Sequence, residues 1–145
     1  MIPGIELTAD ERIPVELSGL TLKGERARRT VPVCGPGAYT VLKALAFHDR
    51  AEPKDAFDLV YVLRRWPEGK TDIAQRLAQH AQQHTDVDNR AIEALRTDFR
   101  DTEHLGPMRA AEFETLDERY LDEAIADAHG HVDDLLTSCS RAGLS

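Results

Sequence analysis

Apolar and polar positions alternate near the start of the chain and then change to a helical spacing. The alternation over the first 34 residues, with several β-branched side chains, favours short extended segments. Ser18-Gly19 separates two of these segments and predicts a tight hairpin turn between them. The predicted strands cover residues 13–17, 20–24 and 28–33, and residues 1–34 are expected to form a small β element.

From Pro36 onward, apolar residues recur every three or four positions, as on the buried face of a helix. Proline suits the first turn of a helix, and the breakers Pro53, Pro67 and Gly69 divide the segments that follow. The predicted helices cover residues 37–50, 54–65, 71–84, 90–104 and 117–139, with a short one over 108–114. Residues 35–145 are therefore expected to form a bundle of about five helices, in a single-domain α+β fold.

The composition narrows the class of protein. The 145 residues are enough for one domain with a hydrophobic core. No apolar stretch approaches the roughly 18 residues of a membrane span, and the first residues have no signal-peptide layout. We therefore expect a cytoplasmic protein without a membrane partner. The net charge of −8 argues against broad nucleic-acid binding, which needs a basic surface.

Charged residues interrupt the apolar pattern of the first two helices. Lys43 and Arg50 are seven positions apart, and Asp55 and Asp58 are three apart, so each pair shares one face of its helix. Because the connection between the helices is short, the two faces can converge. Together with Lys54, these residues can bind phosphate or metal, or they can form a salt-bridge network between the helices. The spacing leaves both interpretations open.

The stretch "VLKALAFHDRAEPKDAFDLVYVL" resembles a helical motif of the AbiEii/AbiGii-toxin-type nucleotidyltransferases. The preceding "VPVCGPGAYT" is similar to the Pro-Gly segment that leads into that helix, and "DFRDTEHLGPMRAAEF" is similar to the C-terminal helical region of the family. The resemblance touches most of the chain and implies that it corresponds to the C-terminal portion of such an enzyme. The residues that match the motif are Lys43, Ala46, Arg50, Lys54, Asp55 and Asp58.

This resemblance implies a transferase of toxin or abortive-infection type, which joins a nucleotide to an acceptor and uses Mg²⁺ and a nucleoside triphosphate. In the family the motif lysine contacts the triphosphate, which implies phosphate binding and a catalytic role for Lys43. An aspartate supports the active centre, and Asp55 or Asp58 would take that role. Arg50 and Lys54 would neutralise or orient the phosphates. The implied partners are a second chain or an antitoxin, with RNA, protein or a small molecule as acceptor.

The sequence departs from the family ahead of the helical motif. The family's Gly-Gly or Gly-Ser turn and its Asp-x-Asp pair have no counterpart before Lys43, and the chain is expected to start after them. Asp86 and Asp88 have the Asp-x-Asp spacing, but they follow the motif, where a helix cap explains them better than a metal site. The acids ahead of the motif are Glu6, Asp10, Glu11, Glu16 and Glu25.

Two hypotheses follow for the function. In the first, the chain is a nucleotidyltransferase whose site is completed by the missing motif or by a partner chain. In the second, it is a truncated, non-catalytic helical domain that acts as a binding or interaction module. Because paired carboxylates hold the metal in two-metal sites, we expect the isolated chain to be inactive in either case.

Overall fold

The computed structural model describes residues 4–144. Within these residues, a two-stranded antiparallel sheet precedes a bundle of five longer helices, which confirms the predicted α+β class. A four-residue helix, which was not predicted, comes before the sheet. The elements are α1 (Leu7–Asp10), β1 (Arg12–Leu20), β2 (Arg26–Cys34), α2 (Pro36–Arg50), α3 (Pro53–Arg65), α4 (Gly69–Asp98), α5 (Leu105–Glu114), a 3₁₀ turn (Glu118–Tyr120) and α6 (Leu121–Arg141).

The predicted arrangement of three strands is wrong. Ser18 and Gly19 lie within β1, and the chain reverses instead over residues 21–25. The Thr21 N–H donates to the Glu25 carbonyl at 2.8 Å, and Gly24 supplies the positive φ of +80° that this turn requires. β1 continues through residues 18 and 19 because both pair with β2, Ser18 with Arg28 and Gly19 with Ala27, and most of the predicted second strand forms the turn instead.

We call residues 12–34, which form β1, β2 and their turn, the hairpin. No residue of the hairpin is buried. Its large apolar residues include Leu17, which is 55% exposed, and Leu20, which is 72% exposed. The hairpin therefore stands outside the hydrophobic core, which the helices build among themselves.

The first two predicted helices are confirmed as α2 and α3. Pro36 and Pro53 each occupy the first turn of a helix, where a missing N–H costs nothing. α2 ends at Arg50 and is followed by Ala51, which adopts the left-handed conformation with φ of 52°. The chain turns sharply at Ala51, so α3 starts next to the end of α2.

α4 differs from the prediction. The residues expected to form a turn, 85–89, are helical, and α4 is interrupted only at His84, with φ of −128°. Thr85 does not cap a new helix, because its hydroxyl donates back to the Ala81 carbonyl within the same helix. α4 then ends at Asp98 rather than near residue 104, and α5 begins correspondingly earlier, at Leu105.

The core lies between α2, α3, α4 and α6, with α5 packed against α3 and α6. Phe47 and Phe99 meet at its centre, with ring centroids 5.7 Å apart. Other fully buried side chains are Val41, Leu59, Val60, Ile73, Leu77, Ile92, Leu95, Val132 and Leu135.

No helix among residues 4–144 is long and apolar enough to cross a membrane.

Candidate functional site

Lys43 lies at the centre of a group of charged side chains where α2 faces α3. Its Nζ donates to Asp55 Oδ1 at 2.9 Å and to Asp58 Oδ2 at 2.7 Å. The lysine side chain is 20% exposed, whereas that of Asp55 is only 4% exposed. The predicted convergence of these residues is confirmed in its geometry, while their chemical roles remain a prediction.

Two further cations lie on the outer side of this group. Arg50 donates through Nε and Nη2 to Asp55 Oδ2, each at 2.7 Å, and Lys54 Nζ donates to Asp58 Oδ2 at 2.6 Å. Their side chains are 61% and 65% exposed. Because exposed ion pairs contribute only about 0–1 kcal/mol, both cations can move to another anion at little cost. We call Lys43, Arg50, Lys54, Asp55 and Asp58 the Lys43 cluster.

The local sequence explains why these side chains meet. The left-handed Ala51 and the helix-starting Pro53 make the connection between α2 and α3 short and well defined. Asp55 lies in the first turn of α3, where the positive end of the helix dipole favours a carboxylate. Asp58 follows one turn later on the same face and therefore reaches Lys43, which lies farther back along α2.

Hydrogen bonding, rather than burial, sets the charge state of the cluster. Burial alone would lower the pKa of Lys43, but its bonds to Asp55 and Asp58 outweigh burial and raise that pKa. Burial would likewise raise the pKa of each aspartate, but the bonds from Lys43 and from Arg50 or Lys54 lower it. The three cations and two carboxylates therefore give the cluster a net charge of +1 at neutral pH.

Tyr39 also lies beside this cluster, although no motif in the sequence indicated it. Lys43 Nζ lies 5.6 Å from the centroid of the Tyr39 ring, within the range of a cation–π contact. Burial raises the pKa of the Tyr39 phenol above its usual value. The four-residue spacing from Tyr39 to Lys43 is the signal that could have located it, since residues one helical turn apart are neighbours.

A second charged group lies beneath the start of α2. Glu11, which is 8% exposed, accepts hydrogen bonds from the backbone N–H groups of Gly37 at 3.2 Å and Ala38 at 2.6 Å. The same carboxylate lies 3.2 Å from Arg76 Nη1 and 3.2 Å from His80 Nε2. A Cβ at position 37 would lie 2.8 Å from Glu11 Oε2, so glycine is what allows this close approach. Glu11 thus caps the helix that carries Lys43.

Asp88 lies within α4, which makes the predicted cap at this position wrong. Its side chain is fully buried, and neither carboxylate oxygen has a hydrogen-bond partner. His80 Nδ1 is 3.8 Å from Asp88 Oδ1, which is too long for a hydrogen bond. Burial raises the pKa of Asp88 to about 6. We call Glu11, Arg76, His80 and Asp88 the Glu11 cluster.

The residues of the Lys43 cluster do not by themselves fit a resident magnesium ion. Mg²⁺ requires oxygen ligands in a nearly octahedral arrangement, and the two carboxylates of the cluster already share the ammonium group of Lys43. Among residues 4–144, no group of three or more His, Cys, Asp or Glu side chains is placed to hold a metal.

The fold and the Lys43 cluster define a small α+β protein with a cation–carboxylate site between two helices of a bundle. The family model described as "Nucleotidyl transferase AbiEii toxin, Type IV TA system" matches residues 4–137 of the chain. The chain therefore belongs to this family, which confirms the resemblance seen in the sequence. The match includes the hairpin as well as the helices that carry both clusters. Comparisons with curated proteins and with solved structures gave no match.

Proposed function

We propose that this chain supplies the phosphate-binding half of a nucleotidyltransferase site. In this proposal Lys43, Arg50 and Lys54 bind the phosphates of a nucleoside triphosphate, while Asp55 and Asp58 hold Lys43 in position until the substrate arrives. The observation that carries the proposal is the placement of Lys43 between two carboxylates, with two exposed cations beside it.

The charge arrangement supports phosphate binding in a specific way. Lys43 is oriented by two short hydrogen bonds, so little side-chain entropy remains to be lost when an anion binds. Arg50 and Lys54 are mostly exposed and can each turn from an aspartate to a phosphate oxygen. Phosphoryl-transfer enzymes work mainly through such positioning and charge stabilisation.

We further propose that transfer to an acceptor requires additional carboxylates. No Asp-x-Asp pair precedes Lys43 in the sequence, and Glu11, the one buried acid of that region, is engaged at the start of α2. In the intact system, the missing motif or a partner chain would supply the acids that hold Mg²⁺, the ion that would stabilise the transferred phosphates. The acceptor would be RNA, protein or a small molecule, and an antitoxin is the expected partner in a type IV toxin–antitoxin system.

The alternative function is a non-catalytic binding or interaction module. The observation that favours it is that every carboxylate of the Lys43 cluster is already paired with a cation. Such a network can stabilise the contact between α2 and α3 without any ligand. The two proposals differ in whether the cluster binds a triphosphate.

The deciding experiment measures nucleotide binding and nucleotide transfer with the same purified chain. We expect weak binding of each of the four triphosphates with Mg²⁺, and no incorporation of radiolabelled nucleotide into RNA or protein. Lys43→Ala should abolish binding. Lys70→Ala is the matched control, since Lys70 is 18% exposed and also pairs with an aspartate, Asp134. Equal binding by both variants would favour the non-catalytic module, and transfer that Lys43→Ala abolishes would show that this chain needs no further carboxylates for the reaction.

A further inference from the structure

The hairpin has a face rich in apolar side chains that residues 4–144 leave partly exposed. Paired residues share one side of the sheet, so the register places Ile13 with Val33 and Val15 with Val31 on one face. Val31 is 38% exposed and Val33 is 43% exposed. A two-stranded hairpin is only marginally stable on its own and is normally stabilised by further strands or by packing against other elements. This face therefore has the properties of a surface that a further element covers.

Both edges of the hairpin also carry unpaired backbone groups, and the ladder shows which ones. The Gly35 N–H donates to Glu11 at 2.9 Å, and the Thr21 N–H donates to Glu25 at 2.8 Å. These two pairs lie at the two ends of the hairpin, and both consist of odd-numbered residues. Because hydrogen-bonded and non-hydrogen-bonded pairs alternate along an antiparallel ladder, the pairs of odd-numbered residues between them are the hydrogen-bonded ones. The backbone groups of even-numbered residues consequently point outward. Pro14 and Pro32, which lack an N–H, both occupy even-numbered positions, where strand pairing needs no N–H.

The charge of the hairpin differs from that of the rest of the protein. Residues 12–34 contain five basic side chains and two acidic ones, a net charge of +3, whereas the whole chain carries −8. On β2, Arg26 and Arg28 lie on the face opposite the valines. Glu16 lies 3.5 Å from Arg28 at an exposed site, where such a pair contributes little. β2 therefore presents Arg26 and Arg28 on one face, and Val31 and Val33 together with Arg29 on the other.

We propose that the edge of β2 is a docking site for an extended segment of a partner protein in which apolar and acidic residues alternate. The segment would accept backbone hydrogen bonds from the outward N–H groups of Arg26, Arg28 and Thr30. Its apolar side chains would extend the face of Val31 and Val33, and its acidic side chains would lie opposite Arg26 and Arg28.

Two other occupants fit the observations less well. A second copy of the hairpin would bring two net charges of +3 together, which opposes pairing through this surface. Single-stranded RNA is usually held by aromatic side chains on which bases stack, and residues 12–34 contain none. An acidic, strand-forming protein segment satisfies the charge, the apolar face and the free backbone groups together.

This inference deepens the proposed function, and the partner's role in completing the nucleotide site rests on that proposal. β2 leads directly into α2, and Lys43 is seven residues beyond Pro36, or about 10 Å along the helix at 1.5 Å per residue. A partner that extends along β2 as far as Cys34 therefore approaches the helix that carries Lys43. The docking surface itself can be tested without any nucleotide, so its failure is distinguishable from failure of the nucleotide site.

The test uses the full chain and a fluorescently labelled nine-residue peptide in which valine and aspartate alternate, with binding measured by fluorescence anisotropy. We expect saturable binding that a valine–lysine peptide does not show. Thr30→Pro removes one outward N–H of β2 without touching the ladder, and should weaken binding about tenfold or more. Ser18→Pro makes the equivalent change on the edge of β1 and should leave binding unchanged. Arg26→Glu combined with Arg28→Glu should abolish binding.

Amide spectra of each variant would verify that the hairpin remains paired. No binding of the acidic peptide at millimolar concentration would overturn the proposal, as would equal binding of the lysine peptide or a loss caused by Ser18→Pro alone. Binding of a labelled single-stranded RNA that the arginine variants remove would assign the surface to nucleic acid instead. Concentration-dependent self-association that Thr30→Pro abolishes would assign it to a second copy.

Discussion

The Lys43 cluster and the Glu11 cluster both lie against α2, and they hold their acids in different ways. In the Lys43 cluster each aspartate is paired with two cations, and the pKa of each aspartate is lowered. In the Glu11 cluster, Glu11 is satisfied by two backbone N–H groups, but Asp88 has no hydrogen-bond partner and its pKa is raised to about 6. The two clusters therefore differ in that cations keep Asp55 and Asp58 ionised, whereas Asp88 is buried without a partner for its charge.

This difference has a consequence for function and another for stability. The pairs of the Lys43 cluster are partly exposed and can be exchanged for a ligand, which suits a binding site. In the Glu11 cluster both acids are buried, and Glu11 holds the start of the helix that carries Lys43. Substitutions in the Glu11 cluster should therefore change stability most, and substitutions in the Lys43 cluster should change ligand binding more than stability.

The largest expected effect is that of Glu11→Ala. This change leaves the backbone N–H groups of Gly37 and Ala38 without an acceptor in a buried place. Hydrogen bonds to a charged group contribute about 1.5–3 kcal/mol each, so we expect a loss of roughly 3–4 kcal/mol in the free energy of unfolding. Urea denaturation at pH 7 measures it. Glu11→Gln retains one acceptor oxygen and should lose clearly less, and equal losses would argue that the cap is unimportant.

Asp88→Asn should stabilise the protein at neutral pH. The folded pKa of about 6 lies above the ordinary aspartate value of 3.8, so the folded state binds the proton more tightly than the unfolded state does. Stability should consequently fall as the pH rises from about 4 to about 6, by up to roughly 3 kcal/mol, and then stay level. The asparagine variant should lack this decline and gain about 2 kcal/mol at pH 7.5.

The control for this substitution is the pH dependence itself. Wild type and Asp88→Asn should have similar free energies of unfolding near pH 4, where the native carboxyl is protonated, and should differ above pH 6. A variant that is less stable than wild type at every pH would contradict the account, because it would mean that the charged carboxylate has a stabilising partner.

Smaller effects are expected in the Lys43 cluster, and they should depend on burial. Lys43→Met leaves each aspartate with one remaining cation, so we expect a loss of about 1–2 kcal/mol rather than the 3–5 kcal/mol of an isolated buried charge. Lys54→Met removes a pair whose lysine is 65% exposed and should cost less than about 0.5 kcal/mol. Denaturation of both variants under the same conditions checks this order. A larger loss for Lys54→Met than for Lys43→Met would show that exposure does not determine how much each ion pair contributes to stability.

The sequence predicted the Lys43 cluster because its spacing is local. Lys43 and Asp58 are only 15 positions apart, within two helices whose periodicity and proline boundaries can be read directly. The Glu11 cluster could not be predicted in the same way. Arg76 and Glu11 are 65 positions apart, and they meet only because α4 packs along α2. No pattern in the local sequence indicates a contact between residues so far apart.

The errors in the fold have a similar origin. Ser18-Gly19 has the composition of a turn, but the pairing of nine residues on each strand favours a longer hairpin that reverses at Gly24. Four of residues 85–89 are polar with cap-forming side chains, yet the segment continues α4. Val87 packs against the core, and Asp88, Ala91 and Ile92 are buried. Strand pairing overrode the local preference in the hairpin, and packing against the core overrode it in α4.

The central claim, that the Lys43 cluster binds phosphate, can be tested on the lysines themselves. The chain has four, Lys23, Lys43, Lys54 and Lys70, and isotope labelling of lysine side chains gives one signal for each. Replacing one lysine at a time with arginine assigns these signals. On titration with ATP and Mg²⁺, we predict saturable shifts of the Lys43 and Lys54 signals with little change at Lys70 and Lys23. Shifts confined to Lys23 of the hairpin, or no shift at Lys43, would contradict the account.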